Sequence, residues 1–191
     1  SKELSYDFFT NIWICILVGF VVAFPWILHQ VWRFISPGLK SSEKKYSGGF
    51  IIVCSLLFFI GVIFGYFVIA PLSVHFMMTY NLSPEISTEP SLSSYIGYIR
   101  ASILASGLLF ELPVIIYFLT KIGLATPAGL RKNRKFALVI VLIVAAVITP
   151  PDIASQIIVA IPVLILYEVS IFISKFVLYR QKRRKRKLAT P

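Results

Sequence analysis

The strongest constraint in this sequence is the placement of its charge-free runs. No Asp, Glu, Lys or Arg occurs for 25 positions from Phe8 to Trp32, nor for 39 positions from Tyr46 to Pro84. A helix needs about 20 apolar residues to cross the ~30 Å hydrocarbon core of a bilayer, so the first run predicts one span. The second is too long for one span and too short for two with a loop between them. It predicts one helix that starts near Ser47, is apolar to about Ala70, and carries on past Pro71 into the far interface. Leu92 to Thr120, interrupted by Arg100 and Glu111, is a third candidate; Phe136 to Thr149 is a fourth, and Ile153 to Ser174, interrupted by Glu168, is a fifth. The predicted fold is an all-α polytopic membrane protein with spans near residues 8–32, 47–77, 94–120, 136–149 and 153–175.

Composition agrees and adds a puzzle. Charged residues make up 14% of the 191 residues, against about 25% in soluble domains, which excludes an ordinary water-soluble enzyme and a disordered tail. Yet 19 Lys and Arg against 8 Asp and Glu leave a net charge of +11. Five spans make the connectors alternate sides, and 17 of the 19 basic residues fall on one of them. They are Arg33 to Lys45, Lys121 to Lys135, and the tail from Lys175 to Lys187. The excess of Lys and Arg on cytoplasmic loops predicts a cytoplasmic C-terminus and an outer N-terminus. Residues 1–7 then end an outer loop, 8–178 form one membrane domain, and 179–191 form a basic cytoplasmic tail. Ser1 to Asp7 offers neither a basic n-region nor a signal-peptide cleavage site, so the chain is expected to be a six-span protein without its first helix.

Cys15 and Cys54 both lie in apolar runs, with neither a disulfide framework nor zinc spacing. The tail QKRRKRK, Gln181 to Lys187, resembles a nucleic-acid patch in charge alone. It lacks aromatic or glycine interleaving and follows a span directly. Holding anionic headgroups, at about 1 kcal/mol per basic residue, explains it without nucleic acid.

The acidic residues are the informative ones, because an ionisable group at bilayer depth marks a functional site or a buried pairing. Glu111 lies 10 residues before Lys121, about 15 Å along a helix, and Pro113 follows it, freeing backbone carbonyls. Either a polar, wet concavity or a protonated carboxyl bonded to another helix accounts for it. Arg100, 11 residues earlier, shares its face about 16 Å away, too far to pair, and is expected to snorkel to the outer interface. Glu168 is expected to pair inside the bundle. The fourth span is short, about 21 Å, and ends at Thr149-Pro150-Pro151-Asp152, a helix stop followed by an aspartate suited to cap the next helix. Thr149, Asp152 and Gln156 would then sit below the outer headgroup plane, by bilayer thinning or because the hairpin rides low. Glu43 is the one carboxylate among Lys40, Lys44 and Lys45; it is either a solvated loop residue or a bidentate acceptor for an arginine.

Several strings occur together. FISPGLKSSEKK (Phe34 to Lys45), GYFVIAPL (Gly65 to Leu72), FELPV (Phe110 to Val114), LRKNRK (Leu130 to Lys135), TPPDIASQ (Thr149 to Gln156) and AIPVLILYE (Ala160 to Glu168) resemble, in order and over nearly the whole chain, the TatC subunit of the twin-arginine protein translocase. The resemblance implies six spans with both ends cytoplasmic, in a concave, glove-like bundle whose final two helices are short. It implies a bacterial inner-membrane protein, without enzymatic activity or cofactor, that recognises twin-arginine signal peptides of folded cargo. Such a protein works with TatA-type and TatB-type subunits, and with other copies of itself, using the proton-motive force. Glu43 and Glu111 match the family's signal-peptide glutamates. Thr149 and Gln156 match the polar region associated with partner subunits, and Pro150, Pro151 and Asp152 match the outer hairpin. The family's N-terminal cytoplasmic segment and first span have no counterpart in this chain.

Other functions leave traces that are missing. HExxH, GxSxG and CxxC do not occur, and His29 and His75 lie at opposite ends of their spans, which argues against a catalytic pair or a metal site. A proton-coupled small-solute transporter using Glu111 is the alternative, although no internal repeat of the kind found in many transporters is visible.

Overall fold

The structure, a computed structural model, describes residues 2–35, 47–79, 92–149 and 152–189, all in helices and short turns. Among the described residues, four helices are long and apolar enough to cross a membrane, over Phe8–Phe34, Gly49–Phe76, Tyr95–Lys121 and Ile153–Arg183. The fourth expected span is a helix of 15 residues, Arg134–Ile148, about 22 Å long and so shorter than the ~30 Å core. The helices group into two compact units, Ser1–Leu108 and Leu109–Pro191.

The first unit opens with α1 (Lys2–Ile35), which runs through Pro25 without ending. Proline is tolerated in a membrane helix where neighbours and local adjustments re-satisfy the freed carbonyl. The next helix, α2 (Ser47–Phe64), lies antiparallel to α1. Phe24 stacks on Phe58 with centroids 3.5 Å apart, and Trp32 meets Phe50 at 4.7 Å. Much of the remaining surface of α1 is exposed and apolar, as at Val22 and Phe34. That is the expected state beside lipid tails, which are as apolar as the side chains themselves.

As expected from the sequence, the helix does not stop at Pro71. It passes from α2 through a π turn (Gly65–Ile69) into α3 (Ala70–Thr79). Pro71 has no N–H to offer the carbonyl four residues back, and its ring crowds that carbonyl. The wider turn relieves the crowding by moving Ala70 N–H onto Gly65 O, and the Ser73 hydroxyl donates to Ile69 O at 3.0 Å. The turn also brings Gly65 against α4 (Leu92–Leu109), where Ser102, Ile103 and Ser106 face it.

The second unit starts with α5 (Leu112–Lys121), capped at its end by Gly123, whose φ of +88° favours glycine. A one-and-a-half-turn helix, α6 (Pro127–Lys132), begins at Thr126, whose side chain accepts from Gly129 N, a proline-at-N1 start. Then come α7 (Arg134–Ile148) and α8 (Ile153–Ala189). Val141, Ala160 and Val163 form the buried centre of the α7–α8 pair, with Leu109, Leu112, Leu142 and Leu164 packed around them. The last helix is not short, because its apolar part alone, Ile153 to Ser174, has 22 residues, about 33 Å of helix and enough to cross the ~30 Å core. The helix runs 37 residues, straight into the basic tail, because Lys, Arg and Gln are good helix formers and no breaker follows Pro162 before Thr190.

Candidate functional site

Glu111 sits where the third span breaks. Phe110 and Glu111 form a turn between α4 and α5. Pro113 occupies an early position of α5, where its missing N–H would be unpaired in any helix. The backbone of Glu111 (φ −77°, ψ −2°) lies near the bridge region, and its carbonyl accepts from Val114 N at 2.9 Å and Ile115 N at 3.0 Å. Its side chain does not cap the helix. The residue is 7% exposed, and neither carboxyl oxygen has a hydrogen-bond partner among the described residues. A buried polar group without a partner costs about 1–3 kcal/mol, and such groups concentrate where function needs them.

The hairpin between α7 and α8 forms the second cluster. Thr149 ends α7 in an extended conformation, with its N–H and its hydroxyl both donating to Ala145 O at 2.8 Å. Asp152 caps α8 as its type and position predict: Oδ2 accepts from Ser155 N and from Ser155 Oγ, each at 2.9 Å. The Ser155 backbone N–H, then the Ser155 hydroxyl, hold the Asp152 carboxyl below its ordinary range. Gln156 Nε2 donates to Leu142 O at 2.9 Å, tying the start of α8 to α7. Thr149 and Gln156 are thus brought to one hairpin, each bonded to a carbonyl of α7. Pro150, Pro151 and Glu43 lie outside the described residues.

Glu168 does have a partner. Arg134 Nη2 meets its Oε2 at 2.7 Å, with both side chains about half exposed, which makes it a pair at the edge of α7 and α8 rather than a deep one. Tyr167 OH donates to Leu130 O at 2.8 Å one residue away. The Arg100 guanidinium lies 5.5 Å from the centre of the Trp13 ring.

A charge-led reading passes over the buried serines. Thr120 Oγ1 donates to Ser174 Oγ at 2.8 Å, across α5 and α8. Ser170 and Ser174, and likewise Ser102 and Ser106, are buried pairs four residues apart. Small residues at that spacing let membrane helices approach closely, and the spacing was the available signal.

With the geometry in place, the comparisons with known proteins are decisive about family. The family described as Sec-independent protein translocase protein (TatC) matches residues 3–162. The chain is 44% identical over 177 residues to the Sec-independent protein translocase protein TatC of Blattabacterium sp. subsp. Periplaneta americana, covering 93% of this chain and 66% of that protein. It is 41% identical to the TatC of Carboxydothermus hydrogenoformans, covering 89% of this chain and 70% of the relative. A crystal structure described as the twin arginine translocase receptor TatC superposes with a TM-score of 0.71 at 38% identity, over 90% of this chain and 75% of that one. The chain therefore spans about two thirds of the length of these curated relatives, and it belongs to the TatC family of Sec-independent protein translocase proteins.

Proposed function

We propose that this chain is the membrane receptor part of a twin-arginine translocase. In this reading it binds the signal peptides of folded cargo, and works with TatA-type and TatB-type subunits and further copies of itself under the proton-motive force. The observation that carries the reading is Glu111, a carboxyl buried without a partner among the described residues, at a break in a membrane helix of a TatC-family chain. The likeness to a twin arginine translocase receptor supports it. Glu43, among the lysines of the loop between the first two spans, takes the paired arginines through charge-assisted bonds. The apolar part of the signal peptide lies near Glu111, and Thr149 and Gln156 mark the contact with partner subunits. The basic loops and tail face the cytoplasm of a bacterial cell, against anionic lipid of its inner membrane. Residues 1–7 belong to the outer side, 8–178 to the membrane domain and 179–191 to the tail.

The test is site-specific crosslinking of a twin-arginine signal peptide to a full-length version, with export of a folded reporter measured beside it. Glu43→Ala is expected to abolish crosslinking at the arginines and to stop export. Unchanged crosslinking and export in that variant would refute the reading. The small-solute transporter is not favoured by the family match; Glu111→Gln separates the two, since a transporter would lose solute or proton flux in liposomes and a receptor would lose signal-peptide docking.

A further inference from the structure

Within the first unit, a groove of about 490 Å³ opens between α1 and α4. Trp13, Leu17 and Phe20 line one wall, and Arg100, Leu104 and Leu108 line the other. The two helices bring their ends into register. Trp13 is five residues into the span that starts at Phe8, and Arg100 is five residues into the span that starts at Tyr95, so both lie about 8 Å from the start of their spans. Half-exposed Tyr95 and Tyr98 flank the same end, as aromatic residues do at the headgroup level of a bilayer. The groove therefore has a polar mouth at headgroup level and an apolar body running toward the midplane.

Among the described residues of the lining, Arg100 is the only charged one. Its recorded contact is the Trp13 ring, and among the described residues it makes no ion pair. A cation at the mouth of an otherwise apolar slot is complementary to an anionic head on an apolar tail. Size then selects the kind of occupant. The α4 wall from Gly97 to Leu108 is about 16 Å long, close to half of the ~30 Å hydrocarbon core. One acyl chain reaching from headgroup level toward the midplane matches that length.

We propose that this groove binds an anionic phospholipid, with its phosphate on Arg100 and one acyl chain laid from Trp13 to Leu108. The bound lipid completes the wall between α1 and α4 and fixes the pitch of α1, whose packing partner is otherwise α2.

Trp13 is a built-in reporter. With Trp26 and Trp32 changed to phenylalanine, the chain is reconstituted in phosphatidylcholine vesicles containing increasing fractions of phosphatidylglycerol brominated on its acyl chains. Bromine quenches tryptophan on contact. Half-maximal quenching of Trp13 is expected at a fraction about tenfold lower for brominated phosphatidylglycerol than for brominated phosphatidylcholine, the worth of one charge-assisted contact. Arg100→Gln should erase that difference, and Leu104→Phe, which fills the slot without touching charge, should lower the maximal quenching by both lipids. Equal quenching by the two lipids in the parent protein overturns the proposal. So does a Trp13 that neither lipid reaches while a Trp26-only version is quenched, since a helix would then fill the groove.

Discussion

Gly65 and Ser106 meet where the π turn of the second span crosses α4, so closely that a side chain at position 65 has no room. A Cβ built there would stand 2.6 Å from Ser102 O and 2.9 Å from Ile103 Cα, besides striking the Ser106 hydroxyl. Two of these neighbours are backbone, which cannot turn aside as a long side chain can. The π turn forced by Pro71 and the small face of α4 are thus two halves of one contact.

Gly65→Ala is expected to destabilise the protein by about 1–3 kcal/mol, the usual cost of overpacking a tight interface. Gly19→Ala is the control, because nothing lies within 4 Å of that position. Removing a helix-interior glycine there should be stabilising by up to about 1 kcal/mol. Thermal unfolding of both variants in detergent checks the opposite signs.

Thr120 and Ser174 give a smaller effect. Thr120 Oγ1 also reaches Ile116 O at 2.8 Å, so Ser174→Ala leaves it bonded to its own helix. Interhelical hydrogen bonds in membrane proteins average about 0.6 kcal/mol in double-mutant cycles. A cycle of Thr120→Val and Ser174→Ala should return a coupling of that order, and a value near zero would remove this contact from the account of α5–α8 packing.

Asp152 links stability to pH. Its carboxyl is held below the ordinary range by the Ser155 N–H and hydroxyl. The unfolded state therefore binds a proton more readily, and the stabilisation is fully present above the ordinary aspartate pKa. It is lost as pH falls through the depressed value. In Asp152→Ala the melting temperature should be lower than that of the parent at neutral pH, with the gap closing in strong acid. Asp152→Asn retains a capping oxygen and should lie between the two at neutral pH.

Glu111 should show a trade between stability and function. Both of its oxygens are buried without a partner among the described residues, a burden of about 1–3 kcal/mol that an apolar side chain of similar size does not carry. Glu111→Leu is expected to melt higher than the parent while failing to dock a signal peptide. Lower stability in that variant would point to a structural hydrogen bond at this carboxyl.

Much of this was legible from residue order alone. The runs without charge fall largely inside helices of the structure, since bilayer thickness leaves few alternatives for such lengths. The capping role of Asp152 and the continuation through Pro71 also followed from local rules about cap oxygens and missing N–H groups. The partner of Glu168 was not readable, because Arg134 lies 34 residues away and only the antiparallel register of α7 and α8 brings the two together. The serine pairs were passed over for a related reason: their spacing is local, yet its meaning depends on what faces it.

The sequence by itself determined that this chain lives in a membrane, which stretches of it form apolar helices, and which family it belongs to. These follow from one-dimensional quantities, namely the length of apolar runs, the placement of breakers and the identity of short strings. Tertiary structure alone decided that Gly65 must be small, that Thr120 finds Ser174, and that Arg100 rests on Trp13 at the mouth of an apolar groove. Inside a bilayer, hydrophobicity no longer distinguishes a buried face from an exposed one, so which side chains meet is settled by packing and by the few polar groups that must find partners.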